Sequence, residues 1–261
     1  MYTDMHTIIK PAVSGKFEIK HFDITEKDIK NINPFSFGAS EFRTLKPGKY
    51  VKLVSDKEVI MSDTNMEKET NMTFLEKSKG DVLIAGLGIG LILIPLFKNP
   101  KVKSITVIEK EKDVIDLVEN QLNLEKVKIQ QEDIFTYVPN KKYDTIYFDI
   151  WPTIGDNFYE MSELLEKFLP FLTNEGWINA WRYMDNVLSE FECANCNGNI
   201  ECHYCNGDGY IEECYCDDPN CFGCEDEDCI ECEGSGNCME CDGEGFDRYR
   251  ADLESPIELS F

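Results

Sequence analysis

The spacing of apolar and polar residues between positions 79 and 190 predicts strands that alternate with helices. Short apolar runs predict buried strands, whereas apolar residues three or four positions apart predict helices with one face on a core. The predicted strands are Asp81–Ala85, Ser104–Ile108, Val127–Ile129, Tyr143–Phe148 and a fifth that follows the turn in NEGWINAW. Strands and helices in alternation predict an α/β fold with a parallel sheet.

Two helix faces and one β-rich segment complete this pattern. Residues 16–62 contain the strand-like segments YVKLVS and EVIMS and predict a small β-rich part before the sheet. One predicted helix face carries Val114, Leu117, Val118 and Leu122, and another carries Phe158, Met161, Leu164, Leu165, Phe168 and Leu169. The predicted domains are a β-rich segment with a lead-in helix at 1–78, the α/β domain at 79–190, a cysteine-rich module at 191–247, and a segment at 248–261 that is a candidate returning strand.

A glycine-rich turn follows the first predicted strand of the sheet. Gly86, Gly88 and Gly90 allow a tight turn that brings backbone N–H groups close to a ligand. Glu109 ends the second strand, where an acid can accept hydrogen bonds from ribose hydroxyls. Asp133 follows the third strand. Open α/β sheets bind ligands at this carboxyl edge, so the pattern predicts a nucleotide-type site.

The order of strand, GLGIG turn and helix resembles class I S-adenosylmethionine-dependent methyltransferases. Leu91 stands where a dinucleotide-binding turn has its third glycine, which favours the methyltransferase pattern GxGxG. The resemblance covers residues 80–182 and implies a Rossmann-like sheet that binds S-adenosylmethionine, with Glu109 on the ribose and Asp133, or its neighbour Glu132, near the adenine amine. Within this class, the order of residues is most similar to the spermidine-synthase-related branch. The segments MSDT, GLGIG and DIWPTIGDN together resemble a prokaryotic and phage methyltransferase-like group.

Four residues are candidates for substrate contact. Asp149 follows the fourth strand, where a carboxylate can orient a substrate amine or take its proton. Trp151 and Pro152 are candidates for the wall of a substrate pocket, with a core position as the alternative for Trp151. Asp63 is a candidate ligand contact or a cap of the helix that follows it.

All twelve cysteines lie between positions 193 and 241, which predicts one local metal-binding structure. Five of the six pairs are CxxC, a spacing that lets two thiolates on one turn reach a tetrahedral zinc ion, so twelve ligands serve three ions. A disulfide framework and an iron–sulfur cluster are the alternatives. The predicted ligands are Cys193, Cys196, Cys202, Cys205, Cys214, Cys216, Cys221, Cys224, Cys229, Cys232, Cys238 and Cys241.

Four of these turns resemble the CxxCxGxG repeats in the zinc domain of DnaJ co-chaperones. That resemblance implies that the first repeat shares zinc with the fourth (Cys193/Cys196 with Cys238/Cys241) and the second with the third (Cys202/Cys205 with Cys229/Cys232). The two remaining pairs would close the tip of a long hairpin with two or three Zn2+ ions, and pairing of adjacent turns is the alternative. No His-Pro-Asp tripeptide of a J-domain occurs, so the cysteines do not imply co-chaperone function.

The net charge of -24 lies mainly in the cysteine-rich part of the chain. Residues 193–261 hold 2 Lys/Arg against 19 Asp/Glu. A segment this acidic disfavours binding of nucleic acid and favours binding of a basic protein segment or a polyamine. No apolar run reaches the roughly 18 residues that span a bilayer, and the N-terminal residues lack the charged and apolar regions of a signal peptide. A cytoplasmic protein is therefore expected.

The sequence thus predicts an S-adenosylmethionine-dependent methyltransferase of unknown substrate, with a structural zinc arm for substrate or partner recognition. The first alternative is a spermidine-synthase-like aminopropyltransferase, although Asp149-Ile150-Trp151-Pro152 departs from the acid-rich loop of that family. The second alternative is a non-catalytic, zinc-dependent protein-binding scaffold.

Overall fold

The computed structural model describes residues 2–31, 45–122, 127–152, 157–194, 201, 210–211, 227–228, 235, 237–241, 243–244 and 246–259. The predicted ligands Cys196, Cys202, Cys205, Cys214, Cys216, Cys221, Cys224, Cys229 and Cys232 lie outside the described residues. The chain divides into two compact units. The first comprises Met1–Thr153 and Glu163–Arg182, and the second comprises Ile154–Ser162 and Tyr183–Phe261.

The first unit begins with a small antiparallel sheet. Its strands are hydrogen-bonded in the order β1-β2-β3-β4, and β3 and β4 contain the predicted segments YVKLVS and EVIMS. Alternate residues of β2 are buried at its start, as expected for a sheet with one face on a core. The elements are α1 (Met5–Ile8), β1 (Ala12–Ser14), β2 (Phe17–Ile24), α2 (Glu26–Asn31), β3 (Gly48–Ser55) and β4 (Glu58–Ser62).

The central sheet follows and is entirely parallel, as predicted. Its strand order is β7-β6-β5-β8-β9. The chain adds β6 and β7 on one side of β5 and then β8 and β9 on the other, so the strand order reverses between β5 and β8. In open α/β sheets a ligand binds at such a reversal. The elements are α3 (Asn65–Thr70), α4 (Met72–Lys77), β5 (Gly80–Ala85), α5 (Leu93–Lys98), β6 (Val102–Glu109), α6 (Lys112–Val118), β7 (Val127–Gln131), β8 (Tyr143–Phe148), α7 (Phe158–Phe168) and β9 (Leu172–Ala180).

Two predicted helix faces are longer than the helices that form. Leu122 lies beyond the end of α6, although it still packs against the core. Leu169 falls in a short 3-10 turn, Leu169–Phe171, and is exposed. Pro170 lacks a backbone N–H, which ends the α-helical hydrogen-bond pattern at this point.

The second unit contains residues on both sides of the cysteine-rich segment. Antiparallel pairs join Glu192 to Phe246, Glu201 to Asn237 and, in β10 (Tyr210–Ile211) and β11 (Glu227–Asp228), Tyr210 to Asp228. From one pair to the next, the residue number rises by nine on the first side (192, 201, 210) and falls by nine on the second (246, 237, 228). The described pairs therefore share one antiparallel register.

The last described helix replaces the returning strand that the sequence allowed. The second unit also contains α8 (Tyr183–Glu190), a 3-10 turn at Met239–Cys241 and α9 (Arg248–Glu254). The carboxylate of Asp247 accepts a hydrogen bond from Arg250 N–H over 3.0 Å and caps α9. This cap and the pairing of Arg250 with Glu254 at i,i+4 favour a helix for residues 248–254.

Among the described residues, no helix combines the length and the apolar character needed to cross a membrane.

Substitution of Phe74 in α4 tests how much core packing stabilises the first unit. Its buried ring stacks on Tyr147 of β8 at 4.1 Å between centroids and lies 6.2 Å from Trp177. We predict that Phe74→Ala lowers the free energy of unfolding by about 3 kcal/mol, because it leaves a cavity in the core. Met72→Ala in the same helix is the matched control, since Met72 is 43% exposed, and denaturant titration should show a loss below about 0.5 kcal/mol.

Candidate functional site

A turn built on three glycines connects β5 to α5. Gly86, Gly88 and Gly90 have φ angles of +94°, +51° and +73°, values that glycine adopts without strain. A Cβ on Gly86 would collide with the backbone carbonyl of Asp149, and one on Gly88 would collide with the sulfur of Met61. The predicted turn is confirmed, and a side chain at Gly86 or Gly88 is disfavoured by both conformation and space.

Side chains from other elements accept hydrogen bonds from this turn. Leu87 N–H donates to Oε2 of Glu109 over 2.9 Å, and Ile89 N–H donates to Sδ of Met61 over 3.3 Å. The N–H of Gly88, between them, forms no hydrogen bond to the part of the chain that the structure describes. A donor in such a turn is suited to an acceptor group of a ligand.

Glu109 connects the glycine turn to the beginning of α6. It is the last residue of β6, and its Oε1 accepts a hydrogen bond from Glu111 N–H over 2.8 Å. Burial raises the pKa of Glu109, while the hydrogen bonds from backbone N–H groups, Glu111 and Leu87 among them, oppose that rise. Each carboxylate oxygen carries two lone pairs, so both can accept one more hydrogen bond, as the ribose prediction requires.

Asp133 lies beyond β7, beside the residue that follows Glu109. Its Oδ2 is 2.9 Å from Nζ of Lys110, and its Oδ1 accepts a hydrogen bond from Phe135 N–H over 3.0 Å. These contacts lower the pKa of Asp133, with the Lys110 ammonium as the larger cause. The alternative residue Glu132 is exposed. The structure therefore places the two predicted acids, Glu109 and Asp133, on neighbouring parts of one sheet edge.

Asp149 lies beside the glycine turn, at the end of β8. Its N–H donates to the carbonyl of Ala85 over 2.8 Å. The half-buried carboxylate accepts no hydrogen bond from the residues that the structure describes. Burial raises the pKa of Asp149 to about 7. A carboxyl group with a pKa near neutrality is suited to accept and return a proton.

Tyr2, which the sequence did not single out, carries a buried polar group. The hydroxyl of Tyr2 is buried and has no hydrogen-bond partner within the described residues. Burial raises the pKa of Tyr2, and the charges of Asp149 and Glu67 raise it further. Tyr2 precedes the first helix, where no apolar periodicity marks it, and nothing in the sequence connects it to residue 149.

Asp63 has partners within its own unit. It is 1% exposed, its Oδ1 accepts a hydrogen bond from Val51 N–H over 2.6 Å, and its Oδ2 lies 3.4 Å from Nζ of Lys68. The proposed helix cap is wrong, because Thr64 is the residue before α3 and Asp63 instead holds the segment after β4 onto β3. Contact with a ligand stays a prediction for this residue.

The predicted pocket residues Trp151 and Pro152 differ in exposure. Trp151 is buried and Pro152 is exposed. Trp181, at the end of β9, is buried as well, and its Nε1 donates to the hydroxyl of Thr70 over 3.0 Å. A contact of Trp151 or Pro152 with substrate remains a prediction.

Three of the predicted metal ligands lie together in the second unit. The sulfur atoms of Cys193, Cys238 and Cys241 are buried and within 4.8 Å of one another, and those of Cys193 and Cys238 are 3.9 Å apart. Two thiolates on a tetrahedral zinc ion, with Zn–S bonds of about 2.3 Å, are separated by about 3.8 Å. The group joins the first CxxC turn to the last one, and its spacing fits a thiolate-bound metal ion.

The fold and the sheet-edge site define a Rossmann-like α/β protein, and three solved structures show a partial likeness to it. The plantazolicin methyltransferase BpumL, in complex with SAH and a monoazolic desmethylPZN analogue, has a TM-score of 0.33 at 27% identity over 43% of this chain and 42% of its own. The DhpI–SAH complex has a TM-score of 0.36 at 18% identity over 44% of this chain and 55% of its own. Coclaurine N-methyltransferase, bound to N-methylheliamine and SAH, has a TM-score of 0.36 at 19% identity over 44% of this chain and 35% of its own.

The chain spans 35–55% of the length of these three structures. No family model and no curated protein matches it.

The raised pKa of Asp149 predicts a pH dependence of stability. The folded chain keeps the Asp149 proton up to about pH 7, whereas an unfolded aspartate of ordinary pKa 3.8 has lost it. The resulting stabilisation is fully present below about pH 4 and is lost as the pH rises to about 7. We therefore expect the melting temperature of Asp149→Asn, relative to the unsubstituted chain, to increase between pH 5 and pH 8.

Asp116→Asn is the control, because Asp116 is exposed and paired with Lys112 at 2.6 Å. Its melting-temperature difference from the unsubstituted chain should stay constant over the same range. A constant difference for Asp149→Asn would contradict the assignment of this titration to Asp149.

Proposed function

We propose that the chain is an S-adenosylmethionine-dependent methyltransferase with a structural zinc arm. The observation that carries the proposal is the position of Glu109. Its carboxylate is bonded to the glycine turn through Leu87 and still has acceptor capacity toward a ribose. This is the arrangement that the class I resemblance predicts for cofactor binding.

The residues on the sheet edge fit S-adenosylmethionine by their chemistry. The glycine turn offers the N–H of Gly88 as a donor, Glu109 offers acceptors for two hydroxyls, and Asp133 offers an acceptor for an amine. The Lys110 ammonium keeps the Asp133 carboxylate charged. The cofactor, when bound, supplies an electrophilic methyl group on a sulfonium ion.

Methyl transfer needs mainly the correct placement of the acceptor, because proximity provides most of the acceleration. Asp149 lies next to the glycine turn, with its backbone carbonyl against Gly86. We propose that its side chain orients the acceptor beside the cofactor and takes up the proton that the acceptor releases. Trp151 and Pro152 follow in sequence and are proposed to bound the same space.

The zinc arm is supported by the cysteine group and by the strand register. Cys193, Cys238 and Cys241 come together as the first-with-fourth pairing requires, and Cys196 is the proposed fourth ligand. The described antiparallel pairs keep one register from Glu192 to Asp228. We propose three nested zinc sites along this hairpin, as the number and spacing of the cysteines predict. The charge of the arm favours a basic protein segment or a polyamine as partner or methyl acceptor.

Glu109 provides the direct test of cofactor binding. We predict that Glu109→Gln weakens S-adenosylmethionine binding at least about tenfold, because an amide has one acceptor oxygen in place of two and cannot accept from Leu87 N–H, Glu111 N–H and both ribose hydroxyls. Glu111→Gln is the matched control two residues away and should bind as the unsubstituted chain does. Isothermal calorimetry on both variants measures the difference, and equal affinities would place the ribose elsewhere.

The same calorimetry separates methyl transfer from its alternatives. Tight binding of S-adenosylmethionine and S-adenosylhomocysteine is expected for a methyltransferase. A preference for decarboxylated S-adenosylmethionine would instead favour aminopropyl transfer, and binding of none of the three would favour the scaffold.

Metal analysis tests the zinc arm. We predict that the freshly reduced chain contains two or three zinc ions and that Cys238→Ser lowers the content by about one equivalent, because one four-thiolate site loses a ligand. Met239→Ala is the control, since Met239 is 46% exposed and lies in the same turn. Cobalt substitution should give the absorption bands of tetrahedral thiolate coordination. A zinc-free reduced chain would contradict the zinc arm.

A further inference from the structure

One face of the central sheet is polar along β6 and β7. Ser104 and Thr106 lie two positions apart in β6, so they share a face of the sheet. Lys128 is the register partner of Thr106, and Gln130 lies two positions further along β7. Strands of parallel sheets are normally apolar on both faces, because both faces are covered. Polar side chains at these positions therefore indicate a role other than core packing.

The polar residues of this face line a cavity of about 500 Å³. Sites for small molecules have volumes of about 300–1,000 Å³. Among the described residues that line the cavity, none is acidic. The basic and hydrogen-bonding side chains of the lining are those of Lys103, Ser104, Thr106, Lys128, Asn140 and Lys141. The cavity is therefore suited to a ligand that is negatively charged and accepts hydrogen bonds.

The hydroxyl of Thr106 is available to such a ligand. Thr106 is 6% exposed and lines the cavity, and its hydroxyl forms no hydrogen bond to the part of the chain that the structure describes. The hydroxyl of Ser104, in contrast, donates to Oδ1 of Asp81. Buried polar groups in native proteins are almost always hydrogen-bonded to protein, water or ligand. An unpaired donor on the wall of a cavity therefore points to an acceptor inside it.

Two acids adjoin the lining residues, and both have partners. Asp81 of β5 accepts the hydrogen bond from Ser104, and its Oδ2 lies 3.1 Å from Nζ of Lys141. Asp144 of β8 accepts hydrogen bonds from Asp81 N–H over 2.8 Å and from the Thr173 hydroxyl over 3.1 Å. Asp144 is thus directed toward β5 and β9, away from β6 and β7. Asp81 offsets the charge of Lys141.

The other two lysines of the lining keep their charge. Lys103 and Lys128 are exposed and form no ion pair with the described residues. They leave two positive charges at the cavity, although the chain as a whole has a net charge of -24. A phosphate dianion compensates two such charges, whereas a single carboxylate compensates one. Lysine ammonium groups bind phosphate as point charges, and hydroxyl donors bond strongly to ionised oxygens.

We propose that this cavity binds the phosphate group of a small phosphorylated ligand. Lys103 and Lys128 provide the positive charges, and Thr106 donates a hydrogen bond to a phosphate oxygen. The site is separate from the cofactor site of the proposed function. Ser104 lies near the beginning of β6 and Glu109 at its end, about 16 Å apart at the usual rise of a strand.

Small anions test the cavity directly. The probe is glycerol 3-phosphate, with acetate as a monoanion and glycerol as the neutral analogue, added to the full chain at constant ionic strength. Ligand-detected NMR gives the three dissociation constants. We expect glycerol 3-phosphate to bind at least about tenfold more tightly than acetate, and glycerol to bind most weakly. Equal affinities for glycerol 3-phosphate and acetate would overturn the proposal.

Conservative variants assign the contacts to residues. Lys103→Gln, Lys128→Gln and Thr106→Val should each weaken binding of glycerol 3-phosphate about three- to tenfold, because each removes a charge or a donor. Lys142→Gln is the matched control, since Lys142 is exposed and follows the lining residue Lys141 but does not line the cavity. It should change the affinity less than about twofold. Equal losses in Lys142→Gln and Lys128→Gln would show binding to general surface charge and would overturn the proposal.

Stability measurements provide a second readout for the Thr106 hydroxyl. A hydroxyl without a partner in the protein contributes no hydrogen bond to folding. Thr106→Val should therefore melt at the same temperature as the unsubstituted chain or higher. A lower melting temperature would show that the hydroxyl is bonded within the protein and would overturn the proposal.

S-adenosylhomocysteine separates this inference from the proposed function. Saturation of the chain with this cofactor product should leave the dissociation constant of glycerol 3-phosphate unchanged, because the two sites differ. Competition between the two ligands would place the phosphate at the glycine turn and would overturn the proposal. If S-adenosylhomocysteine does not bind, the proposed function fails, and the Lys128→Gln measurement still decides the phosphate site.

An oligothymidylate tests nucleic acid as the source of the phosphate group. We expect it to bind no more tightly than glycerol 3-phosphate, because the net charge of -24 repels a polyanion. Binding that is at least about tenfold tighter and is lost in Lys128→Gln would indicate a nucleic-acid interface. That result would overturn the proposal of a small ligand.

Discussion

The backbone passes so close to its neighbours between β5 and α5 that side chains have no room at Gly86 and Gly88. The Asp149 carbonyl occupies the space beside the first glycine, and the Met61 sulfur occupies the space beside the second. This close approach allows Glu109 to accept a hydrogen bond from Leu87 and places Asp149 beside the same turn. A Cβ at Gly86 would collide with backbone that cannot shift cheaply, so the contact between β5 and the residue after β8 depends on this steric constraint.

Electrostatics then distinguishes the acids that share this sheet edge. Asp133 is paired with Lys110, which lowers its pKa, whereas Asp149 has no such partner among the described residues and its pKa rises to about 7 through burial. Environments that shift two carboxyl groups in opposite directions give them different chemical roles. Asp133 is suited to act as a permanently charged hydrogen-bond acceptor, whereas Asp149 is suited to take up and release a proton.

The parts of this site that the sequence predicts are those fixed by local pattern. Tyr143–Phe148 reads as a strand because its apolar run is short and continuous, and the structure gives the same limits. Glu109 and Asp149 were predictable because parallel strands end at one edge. Met61 was not, since its contact with Ile89 N–H joins segments that are distant in sequence. The cap alternative for Asp63 is wrong because its real partner, Val51, lies on another strand.

A crystal structure with S-adenosylhomocysteine tests most directly whether this sheet edge is a cofactor site. The account predicts the ligand beside Gly86–Gly90, with its ribose hydroxyls about 2.7 Å from the Glu109 carboxylate and its adenine amine near Asp133. A ligand bound elsewhere, with Glu109 bonded only to Leu87 and Glu111, would contradict it.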